Sequence, residues 1–136
     1  MVRAMRLKPS VENVDIVEVG TAGLSILDHV RGYDRLILVD AIVSGAEPGT
    51  IHQLRGADVA RCSHLGPGHD ADLPTVLALG EKLAGDRMPR DVVVVAIEAS
   101  NVTTVSMDLT PEVSVAVPRA AELIESLCRK GSANAE

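Results

Sequence analysis

Two uninterrupted apolar runs dominate the chain, and the remaining elements take their places around them. The first, Leu36-Ile37-Leu38-Val39, closes on Asp40 and Ala41; the second, Val92 to Ile97, is bracketed by Asp91 and Glu98. Continuous aliphatic runs of this length predict strands buried on both faces, as in a parallel sheet covered by helices, because a half-exposed strand would alternate. Residues 14–19 do alternate, Val-Asp-Ile-Val-Glu-Val, and predict an edge strand with one exposed face. A glycine pair, Gly20-Thr21-Ala22-Gly23, then leads into Leu24, Leu27 and Val30 at helical spacing, with Gly32 as the stop. Strand, glycines, helix and strand make half of a doubly wound unit.

Pro48-Gly49 marks a turn, and residues 50–54 alternate as a short strand. Residues 55–72 show no periodicity and predict a long loop, which in a compact domain is usually functional. Pro74 opens a helix whose apolar face is expected to carry Val76, Leu77, Leu79 and Leu83. Thr110-Pro111-Glu112 has the order of cap, first-turn proline and first-turn acid, so the last helix starts there. Pro118 is expected to kink or restart it, with Ala121, Leu123, Ile124, Leu127 and Cys128 continuing and residues 131–136 forming a flexible tail. The pattern is that of one α/β domain over residues 1–136: a three-layer arrangement with a mostly parallel, twisted sheet flanked by helices.

Composition narrows the function. Aromatics are 1% of the 136 residues, a single Tyr33, so the core is aliphatic and no stacking platform for single-stranded nucleic acid exists. A formal net charge of −6 leaves no basic excess for a phosphate backbone, so nucleic acid is not an expected partner. No apolar run reaches membrane-span length and no signal peptide is visible, which points to a cytoplasmic protein. Cys62 and Cys128 lie far apart without a CxxC spacing and read as reduced thiols.

Chemistry is expected at the carboxyl ends of the strands, where open α/β sheets collect ligands. Asp40 stands at such an end, either as a working carboxylate or as a group bonded to the following loop. The loop after Arg61 holds Cys62, His64, His69, Asp70 and Asp72, a set suited to nickel, zinc or iron but in no closed metal spacing. Cys62 near His64 offers a thiolate only if the two face each other. No serine sits in a GxSxG elbow. The GTAG turn with Asp40 downstream leaves a nucleotide site as one alternative and close backbone packing as another.

Several of these segments, taken together and in order, resemble the [NiFe]-hydrogenase maturation endopeptidases: Glu18-Val-Gly-Thr-Ala-Gly23-Leu, Leu38-Val-Asp40-Ala41-Ile-Val, Pro48-Gly-Thr50-Ile, Gly68-His69 followed by Leu73 and Val76-Leu77-Ala78-Leu79, and Leu109-Thr-Pro111-Glu-Val113. The resemblance runs from about Val14 to Cys128. It implies a twisted, phosphorylase/hydrolase-like sheet flanked by helices, and a protease that clips a C-terminal extension from the hydrogenase large-subunit precursor after nickel insertion. The nickel is carried by the substrate and recognised there, not held as a permanent cofactor. By motif match, Asp40 supplies one carboxylate and His69 the imidazole for that metal. Glu18 stands where the family usually has an Asp before the Gly-Thr motif and is a candidate catalytic residue beside Asp40 and His69, with its role left open. Residues 1–13 form an atypical N-terminus without the family's opening strand, glycine-asparagine turn and acidic residue. The family's first strand is thus expected to be missing, which allows a catalytically inactive relative that only binds the large subunit. A sheet edge left open in this way would also suit a homodimer.

Overall fold

The computed structural model describes residues 11–19, 23–61, 73–100 and 108–132. A 3-10 turn, Gly23–Ser25, leads into the short helix α1 (Ile26–Val30), followed by β1 (Arg35–Ile42) and β2 (Ile51–Arg55). Helices α2 (Ala57–Arg61) and α3 (Leu73–Ala84), a 3-10 turn, β3 (Asp91–Glu98) and the long α4 (Pro111–Ser132) complete the order.

β3 is the centre of the sheet, in the order β1-β3-β2. It runs parallel to β1, with Arg35 opposite Asp91 and Ile42 opposite Glu98, and antiparallel to β2, with His52 opposite Ala96. Strand neighbours on both sides and helices on both faces explain why Val93, Val94, Val95 and Ala96 have no exposed surface. Each buried valine contributes roughly 1.5–3 kcal/mol relative to an exposed one. Odd-numbered positions, Val93, Val95 and Ile97, pack on Ala116, Ala120, Ile124 and Leu127 of α4. Even-numbered positions, Val94, Ala96 and Ile42, pack on Val59 of α2 and Leu73 of α3. Leu27, Val30, Val76 and Met88 form a third cluster between α1 and α3, with Leu36 against it. The result is the three-layer α/β arrangement, with one parallel and one antiparallel strand pair.

The register is pinned at the end of the sheet where β1 and β3 begin. Asp91 takes Arg35 Nε from β1 at 2.5 Å and Arg55 Nη1 from β2 at 3.0 Å. Arg35 also donates to the Leu127 carbonyl of α4 at 2.5 Å, which ties that helix to the same corner.

Several expectations are corrected. Residues 14–19 are not a strand; Ile16 packs against the α4 cluster, Val19 is half-buried and the rest are exposed. Alternation reports a one-sided face but supplies no neighbour to pair with, and this segment is held instead by a Tyr33 O–H bond to the Asp15 carboxylate. β1 is not buried on both faces. Among the described residues it is an edge strand, and Val39 is 38% exposed. The stretch 55–72 is not all loop, because α2 occupies residues 57–61; at five residues it is too short to show a period. The buried face of α3 is Leu73, Val76 and Gly80, whereas Leu79 and Leu83 are exposed. α4 runs unbroken through Pro118, without a restart, and continues as helix to Ser132, where a tail was expected. Thr110 does precede the helix, and its carbonyl accepts the Ser114 N–H at 2.8 Å, but its buried Oγ1 has no partner among the described residues. Pro111 and Glu112 occupy the first turn as expected.

Candidate active site

Two adjacent parallel strands bring carboxylates to the same end of the sheet, and their surroundings differ. Asp40 lies two residues before the end of β1, half-buried, where the sequence had suggested the strand's last position. Its Oδ1 accepts the N–H of Ala41 at 2.8 Å. That N–H is thereby satisfied by the carboxylate and not by the ladder to β3, so the carboxylate is oriented by its own strand.

Glu98 ends β3 and is 1% exposed. Its Oε1 accepts the N–H groups of Ser44 (2.6 Å) and Gly45 (3.0 Å), and its Oε2 accepts the Ser44 hydroxyl (2.7 Å) and lies 2.9 Å from His52 Nε2. The backbone of Glu98 adds two bonds to the same loop, receiving the Gly49 N–H at its carbonyl and donating to the Thr50 carbonyl, both 2.8 Å. Burial pushes this carboxyl up, but the bonds from Ser44, His52 and Gly45 outweigh it and hold the group below the ordinary carboxylate value. The loop from Val43 to Thr50, directly behind Asp40, is in effect folded around Glu98.

The register places Asp40, Ala96 and His52 in one row across the three strands. In-register neighbours project to the same side, so Asp40, His52 and Glu98 share the face covered by α2 and α3. His52 stands two strands from Asp40, roughly 10 Å across the sheet, with its side chain 25% exposed. A cavity of about 650 Å³ lies on the opposite, α4 side, between Glu47–Ile51 and the start of α4. It contains neither Asp40 nor His52, and the candidate site is placed on the carboxylate face instead.

Of the residues singled out by sequence, Asp40 is on this face. His69, with Cys62, His64, Asp70 and Asp72, lies outside the described residues, as do residues 20–22 of the GTAG turn. The flanks of that segment are informative: Val59 of α2 and Leu73 of α3 pack together on Ile42, Val94 and Ala96. The described elements on either side, α2 and α3, therefore pack on the face that carries Asp40. Glu18 is exposed and outside any strand. Among the described residues no group of three His, Cys, Asp or Glu side chains is placed to hold a metal. Sequence reading missed Glu98 and His52. The one available signal was that the second buried run also closes on a carboxylate; the partners, 46 and 54 residues away, carry no local pattern.

With this geometry in place, comparison with known proteins decides the family. A family profile described as hydrogenase maturation protease matches residues 2–127. The chain belongs to the hydrogenase maturation protease family. Its fold is similar to that of the hydrogenase maturating endopeptidase HybD from E. coli, with a TM-score of 0.83 at 28% identity over 96% of this chain and 80% of that one. It is also similar to the hydrogenase expression/formation proteins HupD of Thiocapsa roseopersicina (29% identity, 88% of this chain and 54% of that protein) and Bradyrhizobium diazoefficiens (30%, 75% and 53%). This chain spans about half the length of those HupD relatives.

Proposed function

We propose that this hydrogenase maturation protease-family chain is an endopeptidase acting in the cytoplasm on the [NiFe]-hydrogenase large-subunit precursor, removing its C-terminal extension once nickel is in place. The observation that carries this reading is the placement of Asp40: an oriented, half-buried carboxylate at the carboxyl end of a parallel strand, in a chain that the family profile matches almost end to end. Asp40 and His69 are the residues we assign to the metal. The nickel belongs to the substrate, and a carboxylate with an imidazole suits it. Gripping that ion fixes the precursor relative to the sheet and brings the scissile bond to a defined place, which converts an encounter into an oriented reaction. No permanently bound metal is required. Glu18, exposed and unstructured by strand pairing, is given no role in this mechanism.

The test is mass spectrometry of nickel-loaded precursor incubated with the chain and with its Asp40→Asn variant. Asn keeps the size and one acceptor but removes the charge, so cleavage is expected to fall by at least two orders of magnitude while the melting temperature stays near that of the parent. Undiminished cleavage by Asp40→Asn refutes the assignment of the metal to Asp40. Binding of precursor without any mass loss by the parent chain assigns a docking function in place of hydrolysis.

A further inference from the structure

We propose that His52 is a substrate-contacting catalytic residue of this site, a proton acceptor whose ring is held in place by Glu98. The inference rests on the endopeptidase reading above and names the group that activates water in it. His52 Nε2 lies 2.9 Å from Glu98 Oε2. An ionised carboxylate only accepts, so Nε2 carries the proton and Nδ1 is the acceptor of the neutral ring. Among the described residues Nδ1 makes no hydrogen bond. A buried carboxylate that fixes the tautomer of a partly exposed imidazole is the arrangement by which proteins present a histidine nitrogen to chemistry.

A purely structural role accounts for less of what is seen. Glu98 already takes three hydrogen bonds from Ser44 and Gly45, enough to satisfy most of its acceptor capacity without a histidine. The ring is 25% exposed, whereas its partner is 1% exposed, so His52 links a buried anchor to the surface. It also lies in the row of Asp40, on the same face and at the same end of the sheet. A substrate whose metal is seated at Asp40 has its nearby peptide within reach of a group roughly 10 Å away.

The step balances without an oxidant or a cofactor. Nδ1 takes a proton from a water molecule as the water oxygen bonds to the scissile carbonyl carbon. The carbon–nitrogen bond then breaks, and the same proton passes to the departing amine. Glu98 stays ionised throughout and acts as the positioning residue, stabilising the imidazolium that forms.

The experiment compares kcat and KM for nickel-loaded precursor with the full chain, His52→Gln and His52→Ala, the last with and without added imidazole. Gln donates to Glu98 as His does but does not accept the proton. The expected result is a loss of about a hundredfold or more in kcat for both variants, little change in KM, and partial recovery of His52→Ala by imidazole. Glu98→Gln should also lower kcat and add little to the loss in a His52→Gln background. Cleavage by the parent chain that survives His52→Gln overturns this proposal alone. No cleavage by the parent chain overturns both this proposal and the endopeptidase reading.

Discussion

Gly49 is where the loop that sets the site closes on the backbone of α4. It has φ of +88°, and a Cβ built on it would lie 2.9 Å from the backbone carbonyl oxygen of Glu112 and 3.4 Å from its carbon. The obstacle is α4 backbone and has no rotamer to change. Gly45, in the same loop, has nearly the same φ of +91° with nothing within 4 Å of its Cβ. The two glycines thus separate two costs. Gly45→Ala carries only the left-handed backbone penalty, about 1–2 kcal/mol. Gly49→Ala carries that penalty plus the displacement of loop from helix, a further 1–3 kcal/mol or so. For a domain of this size, 1 kcal/mol moves the melting temperature by about 3–5 °C. Thermal melts followed by circular dichroism should therefore show a fall of about 3–10 °C for Gly45→Ala and of about 6–25 °C for Gly49→Ala. Gly49 also donates its N–H to the Glu98 carbonyl at 2.8 Å, and residues 50–52 follow directly, so Gly49→Ala should lower cleavage as well. Equal melting temperatures for the two variants would refute the claim that close approach to α4 fixes this loop.

Three further outcomes follow from charged and thiol groups. Glu98 titrates lower in the folded chain than in the unfolded one, so its charge stabilises the fold above about pH 4.5 and that contribution is lost as pH falls through the folded value; Glu98→Gln should flatten the acid limb of melting temperature against pH, and an unchanged limb would count against the network. Asp91→Asn should cost about 1–2 kcal/mol in urea unfolding, because one carboxylate holds Arg35 and Arg55 from both neighbouring strands, and a loss within error would show the register to be set by packing alone. Burial pushes the Cys128 thiol up, with Arg35 pulling weakly the other way, so in a Cys62→Ser background native protein at pH 8 should react with a disulfide reagent at least tenfold more slowly than urea-unfolded protein; equal rates would contradict the burial.

How far the sequence could be read depended on whether an element declares its own surroundings. β3 was legible to the residue, because Asp91 and Glu98 bracket an apolar run that only a central, doubly covered strand needs. The run in β1 looks the same, yet its strand has a partner on one side only among the described residues, and hydropathy does not record neighbours. Residues 14–19 failed for the related reason that alternation does not create a ladder. α2 was invisible because five residues leave no period to detect. Asp40 was legible as a site residue because a charge after an aliphatic run is a local signal. The Glu98–His52–Ser44 network is purely tertiary, assembled by the β1–β2 turn folding back on the end of β3.

The two strand-end carboxylates are chemically alike and structurally unequal, and this inequality assigns their tasks. A carboxylate offers about four acceptor positions. Glu98 commits them to Ser44, Gly45 and His52, and at 1% exposure it has no route to an incoming ion. A metal drawn to it would have to break bonds that also hold the loop, at a cost comparable to a large fraction of the stability of a domain. Asp40 is only half-buried and is bonded to the adjacent N–H of Ala41, so part of its surface is open to an incoming ion. The same residue types at the same level of the sheet therefore divide into one that meets the substrate and one that holds the meeting place. Exchanging them tests this division: Asp40→Asn should abolish cleavage with little loss of stability, whereas Glu98→Gln should lower both, and the reverse pattern would refute the assignment.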